Sequence, residues 1–283
     1  MHFLKIIFIL FLVNTIYAKP LKIDDKTAFY DLLPSSHIYI DKTKALTIHD
    51  IKNKQQEFIK NDKKLLGYGY SPDFDVWVKF TLFNNTDKSI ERTIEYDNSI
   101  TSKIEFYEEK QTHTVLKDGL FSINSKRKTI NPTFKIKLHP YKSKTYYIKT
   151  RSHITALIVK LNLWNNEAFY EKEIKHQLYL ALFFGSMIIL ALYNLFIFFF
   201  TKDISYLYYV LYIVGLMLHH VIYVGFASIY FLNQEWIIHF IELSPLIVAF
   251  PIFALALFSK SFLHLKQYPK LNNILIVYLV IFP

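Results

Sequence analysis

The chain has 283 residues, of which 52% are hydrophobic, 18% aromatic and 20% charged, with a formal net charge of +10 and no cysteine. Without cysteine there are no disulfides, thiolate metal sites or cysteine nucleophiles. The basic lysines are scattered through alternating segments rather than clustered, so no nucleic-acid partner is expected, and anionic lipid headgroups or an anionic cell-surface polymer fit the charge better.

Met1–Ala18 reads as a secretory leader. Lys5 supplies the positive n-region, Ile6–Val13 the apolar h-region, and Ile16-Tyr17-Ala18 a small residue at the cleavage position. The apolar run is too short to cross a bilayer, so cleavage after Ala18 is the expectation. Residues 19–176, mixed and charge-rich, then form an exported domain. With no disulfide available it must rest on an ordinary core, which about 150 residues can supply.

Between Asp73 and Trp164 the chain alternates. Phe74–Phe83 places Val76, Val78, Phe80 and Leu82 on one face and Trp77, Lys79 and Thr81 on the other. Asn84-Asn85-Thr86-Asp87 turns the chain. The pattern recurs at Ile90–Tyr96, Lys103–Tyr107, Thr133–Leu138, Lys144–Thr150 and Ala156–Trp164. Short alternating strands with polar turns predict an all-β sandwich of jelly-roll type. Trp77 and Trp164 fall on the polar faces of their strands. A sugar ring stacked there, with Lys79 bonding its hydroxyls, makes Trp77, Lys79 and Trp164 the candidate ligand-binding residues. The competing and preferred reading is that a loop or the N-terminal segment covers the two indoles. Asp73 and Asp75 are too few for a calcium shell, and a role in the turn before the strand is expected. No Ser–His–Asp arrangement, HExxH or glycine-rich phosphate loop occurs, and the chain has 6 glycines in all. No cofactor, metal or catalytic role is therefore expected.

Three apolar blocks follow: Leu178–Phe200, Tyr206–Phe226 and Trp236–Phe258. Each meets the requirement of about 20 residues for a helix across a bilayer. A fourth begins at Leu271 and is half present at Pro283. With the β domain outside, Lys202, Lys260, Lys266 and Lys270 all fall in cytoplasmic joints, and the outer joint Leu232–Glu235 carries no lysine or arginine. The leader and the loop charges thus predict the same orientation. Gly185 and Ser186 suit close helix contact, and Asn194 suits a hydrogen bond between helices.

Several further stretches are loose singly but specific in their order and spacing. In the exported part they are Tyr39-Ile40-Asp41, Gly67-Tyr68 and Asp75-Val76-Trp77-Val78-Lys79-Phe80, followed by Asn84-Asn85. In the apolar part they are Gly185-Ser186, Leu192-Tyr193-Asn194-Leu195, Tyr206-Leu207-Tyr208-Tyr209, Gly225, and Ser261-Phe262-Leu263 with Pro269. In these the chain resembles the bacterial seven-transmembrane receptors with diverse intracellular signalling modules, in the form that carries the type 2 extracellular domain. The resemblance implies a jelly-roll sensor similar to carbohydrate-binding modules, held in the periplasm above the inner membrane. It also implies seven helices and a cytoplasmic effector: a histidine kinase, a diguanylate or adenylate cyclase, or a phosphatase. No effector is present here, and a homodimer is what the kinase and cyclase forms imply. A half-span is a poor natural terminus, so a fragment of a longer receptor is expected.

Ionisable residues within apolar blocks are functional candidates by default. His219 and His220 fall in the outer half of the second block, and His239 and Glu242 in the outer half of the third, three residues apart on one helix face. An intramembrane polar cluster of these four, coupling the β domain to the helices, is weighed against a plain interfacial position beside Trp236. The expected role is a signal-transduction receptor with an extracytoplasmic ligand, carbohydrate in class. The alternative is a membrane-anchored carbohydrate-binding or adhesion module without signalling.

Overall fold

The computed structural model describes residues 20–109, 114, 116–121, 127–231 and 233–281. The leader lies outside them. The strands are β1 (Leu21–Ile23), β2 (Phe29–Asp31), β3 (His37–Asp41), β4 (Ile59–Lys60), β5 (Leu66–Tyr70), β6 (Asp75–Asn84), β7 (Ile90–Tyr96), β8 (Lys103–Glu108), β9 (Leu116–Asp118), β10 (Thr133–Leu138), β11 (Ser143–Arg151), β12 (Ala156–Val159) and β13 (Leu161–Trp164). A short helix, α1 (Ile48–Asn53), lies between β3 and β4.

Successive side chains of a strand point to opposite faces, and this decides which side is dry. On β6, Val76, Val78, Phe80 and Leu82 are at most 1% exposed. One sheet runs β4-β3-β6-β11-β8-β9 with β1 joining β6 in parallel, a second runs β10-β7-β13-β2, and β5 pairs with β12 apart from both. The inner faces of the two larger sheets share one core. A chain of rings crosses it. Phe80 stacks on Tyr146 at 5.7 Å, Tyr146 on Phe106 at 5.4 Å, and Phe106 on Phe134 of the opposite sheet at 4.8 Å. Each such pair contributes about 1 kcal/mol beyond the burial of its area. This is the all-β sandwich that the alternation predicts.

The outer face of the first sheet is not wholly wet. Ile48, Ile51 and Phe58 lie over Trp77, Tyr107 and Tyr147 in a second small core. A helix of this length is not stable alone. It is held by that burial and by a reciprocal cap, Thr47 accepting from the Asp50 amide while Asp50 accepts from the Thr47 amide. At the edge of the same face His37 sits opposite Lys79 of β6 and Lys60 of β4. It is buried, and neither ring nitrogen has a hydrogen-bond partner among the described residues. Burial, and then the charges of Lys79 and Lys60, hold its imidazole below the usual range. The folded sandwich therefore disfavours a proton that the unfolded chain accepts near about pH 6.5, so stability falls as the pH drops through that value. Thermal unfolding followed by near-ultraviolet circular dichroism should show a smaller loss of Tm between about pH 7 and pH 5 in His37→Leu than in the parent protein.

The helices are α2 (Asn166–Thr201), α3 (Ile204–Tyr223), α4 (Phe226–Tyr230), α5 (Gln234–Glu242), α6 (Ser244–Phe262) and α7 (Pro269–Ile281). Of these, α2, α3 and α6 are long and apolar enough to cross a membrane. Their limits differ from those of the apolar blocks. The first helix begins at Asn166, well before Leu178, because Asn165 caps it directly after β13. The second ends at Tyr223, since Gly225 takes a left-handed conformation at φ +84° that stops the helix. The third block is two helices, broken at Leu243 where Pro245 opens α6. Lys202, Lys260, Lys266 and Lys270 all lie at the helix ends away from the sandwich.

Close helix contact occurs at Gly215 rather than at Gly185. A Cβ on Gly215 would stand 2.7 Å from Phe250 Cδ1 and 3.1 Å from Pro251 Cβ, whereas one on Gly185 would meet nothing within 4 Å among the described residues. Asn194 is buried, but its amide donates to Leu190 O of its own helix at 2.8 Å. Gly215→Leu should destabilise the α3–α6 pair by about 1–3 kcal/mol. Gly185→Leu should leave detergent-resistant thermal stability unchanged.

Candidate functional site

The sandwich and the helices meet at two places. The first is a platform at the outer end of the helices. Ser99, in the turn before β8, donates its hydroxyl to Val224 O at 2.8 Å. A Cβ on Gly225 would be 2.7 Å from Ser99 Cβ, so the close approach and the positive φ both require glycine there. Leu120 packs with Ile222, Ala227, Ile237 and Ile241 in one buried cluster, flanked by Ile100 and Ile154 from the sandwich. Thus α3, α4 and α5 present an apolar seat to three loops of the β domain.

The second contact is the base of α2. Asn165 takes its main-chain position from Ala28 O at 2.9 Å, and its side chain accepts from the Ala168 amide at 2.7 Å. A turn later Lys172 bonds to Glu95, which is fully buried on β7, and lies 2.8 Å from Glu173 Oε1. Glu95 also accepts from Trp164 Nε1 and Asn131 Nδ2, each at 2.8 Å. Beside it, burial raises the Asp97 carboxyl, but hydrogen bonds and charge from Lys160 outweigh this and hold it below the usual range. Two buried carboxylates flanking one ammonium tolerate burial only while all three remain together.

The residues singled out in the sequence are placed as follows. Trp77 is fully buried beneath α1, stacked on Tyr107 at 5.6 Å, and presents no open ring face. Lys79 donates to Gln55 Oε1 at 2.9 Å. Trp164 is half-buried, 4.6 Å from the Phe29 ring, and its nitrogen is engaged by Glu95. Asp73 and Asp75 share no shell: Asp73 pairs with Lys44, while Asp75 pairs with Arg151 and Lys149. The four polar membrane residues weighed as one cluster form two separate pairs. His220 turns to Phe183 of α2 at 4.9 Å, and His219 stacks on Tyr223 at 5.6 Å. His239 and Glu242 lie 3.5 Å apart on the exposed side of α5, whose other side buries Ile237 and Ile241. The break at Leu243 is the cause, because it takes α5 out of the third span and turns its polar face away from α3. Sequence reasoning missed Ser99, Glu95 and Lys172, whose partners are distant in the chain; it named Gly225 in the family resemblance but not its contact with Ser99.

The profile of the 7TM diverse intracellular signalling family matches residues 176–283, and that of the 7TMR-DISM extracellular 2 domain matches residues 34–165. No curated protein matches the chain. Similarities to solved structures are remote. A β-glucosidase from Kluyveromyces marxianus in complex with glucose is 10% identical over 44% of this chain and 16% of its own, with a TM-score of 0.28. A family 35 carbohydrate-binding module from Clostridium thermocellum is 9% identical over 49% of this chain and 99% of its own, at 0.25. The C-terminal CBM6 of LamC from Zobellia galactanivorans gives the same four values. At that level they say nothing about this chain's ligand. The two profiles, one over the sandwich and one from within α2 onward, place the chain in the family of 7TM receptors with diverse intracellular signalling modules, as a multi-pass membrane protein with a type 2 extracellular domain.

Proposed function

We propose that this chain is the sensing and relay part of a receptor in the inner membrane of a bacterium. The sandwich binds a ligand of carbohydrate class in the periplasm. Binding shifts the base of α2 and the seat on α3–α5, and the inner helix ends pass the shift to a cytoplasmic effector, in the same polypeptide or on a partner, with two copies side by side. The chain itself acts as a relay and not as a catalyst.

The observation that carries this reading is the direct join of β13 to α2. One capping residue, Asn165, separates strand from helix, and Lys172 ties the first turns back to the sandwich. A domain that only binds needs no stiff connection to its anchor, and a flexible linker would serve it. A carbohydrate ligand is supported by the half-exposed pair of rings, Phe29 and Trp164, beside polar side chains of the second sheet.

A flexible Gly–Ser insertion between Trp164 and Asn165 should abolish the cellular response that depends on this chain while leaving the unfolding of the sandwich unchanged. A retained response would favour the anchored binding module instead. Lys172→Gln leaves Glu95 and Glu173 buried without their counter-charge, at a cost of about 3 kcal/mol. Amide exchange measured by mass spectrometry should accelerate over the first turns of α2 and not in the core strands. Gly225→Val should weaken the seat by about 1–3 kcal/mol, read as faster exchange over residues 99–102.

A further inference from the structure

The outer face of the first sheet is only partly covered by α1. Beyond that cover, the ends of β6, β8 and β11 form a cleft lined by Asp75, Lys103, Glu105, Lys149 and Arg151. The strand register assembles it: Arg151 lies opposite Lys103, and Lys149 opposite Glu105. Every lining side chain is charged.

The two acids are already engaged. Asp75 is fully buried and accepts Nε and Nη2 of Arg151 at 2.5 and 2.7 Å, with Lys149 Nζ at 3.2 Å. Glu105 accepts the Tyr107 hydroxyl at 2.7 Å and has Lys103 Nζ at 3.1 Å and Lys117 Nζ at 4.0 Å. With the buried Asp41, opposite Asp75 in the register, four cations thus face three anions. The Lys103, Lys117 and Arg151 side chains keep 41%, 56% and 36% of their surface open. The cleft encloses about 20 Å³. That is room for a group the size of a water molecule and not for a sugar ring. A carboxylate set at the mouth of the cleft suits the surplus charge, because ammonium and guanidinium donors make short, strong bonds to its oxygens.

The cleft also adjoins the seat on the helices. Lys103 opens β8 just after Ser99–Ser102, and Arg151 closes β11 just before Ile154. The two loops are tied together, the His153 amide donating to Ser102 Oγ at 2.8 Å and Thr155 Oγ1 to Ile100 O at 2.8 Å. An anion drawn between Lys103 and Arg151 therefore pulls on the two segments that bring Ser99, Ile100 and Ile154 onto the helices.

We propose that this cleft is a second, anion-binding site of the sandwich, on the sheet opposite the Phe29–Trp164 rings, and that it takes the carboxylate of an anionic extracellular ligand between Lys103 and Arg151. This rests on the reading of the sandwich as the sensing part. A uronic-acid sugar and an acidic amino acid offer the same group, and the test separates them.

The full chain in phosphatidylcholine nanodiscs is titrated with trigalacturonate, with glutamate and with neutral galactotriose. The readout is tryptophan emission, to which Trp77 contributes from beneath Lys149, 5.1 Å away. The expected result is a saturable change with one of the two carboxylates and none with galactotriose. Which carboxylate responds identifies the source. The double variant Lys103→Gln/Lys117→Gln should bind roughly ten-fold more weakly; because Glu105 loses two counter-charges, binding is compared at a temperature where circular dichroism shows both proteins folded. The site is overturned if neither carboxylate gives a response, if galactotriose gives an equal one, or if the double variant binds as tightly as the parent. The relay reading stands or falls separately, on the linker insertion, whose outcome does not depend on where the ligand sits.

Discussion

Lys172 stands between Glu95 of the sandwich and Glu173 of its own helix, and the arrangement of the two parts depends on this contact. Its charge is what allows two carboxylates to be buried at the start of a membrane helix. Removing water from ions is costly, so such a group is stable only in one geometry. The requirement makes the ion triad a better specifier of orientation than apolar packing, which tolerates sliding. Asn165 adds the complementary constraint by satisfying the free amides of the first turn, so the helix axis begins where the strand ends.

The platform adds a second fixed point some distance from the first. There the interaction is apolar and close, with Leu120 set among Ile222, Ala227, Ile237 and Ile241, and Gly225 admitting Ser99 without a side chain in the way. A body held at one point can swivel, but one held at two can move only by shifting both. The sandwich is therefore well placed to convert a change in its loops into a relative displacement of α2 against α3–α5.

What could be read from the chain follows the range of each interaction. The periodicity of Val76, Val78, Phe80 and Leu82 is local, and those residues form the core. Trp77 shows the limit. Alternation correctly sets it on the outer face, but whether that face is wet depends on α1, contributed from elsewhere in the sequence. The membrane blocks were legible as composition, and their ends were not. The block after Trp236 looks continuous in hydropathy, yet Ser244-Pro245 breaks it, and with the break His239 and Glu242 leave the span. The contact between Lys172 and Glu95 spans 77 residues of chain and leaves no pattern in either neighbourhood. Charge rows on the first sheet were visible strand by strand, but their union into one cleft needed the register.

The length of α2 has a mechanical consequence. Its 36 residues make a continuous helix of about 54 Å. The hydrocarbon layer is about 30 Å thick, so a substantial part of the rod stands in water beside the sandwich. Such a rod is a lever with its handle outside the bilayer. Pivoted at the outer surface, it carries sub-ångström rearrangements among Glu95, Lys172 and Trp164 across the bilayer as tilt. Pivoted at its base, it turns each degree of tilt into about 1 Å of travel at Thr201. The stiffness that fixes the handle thus also sets the gain.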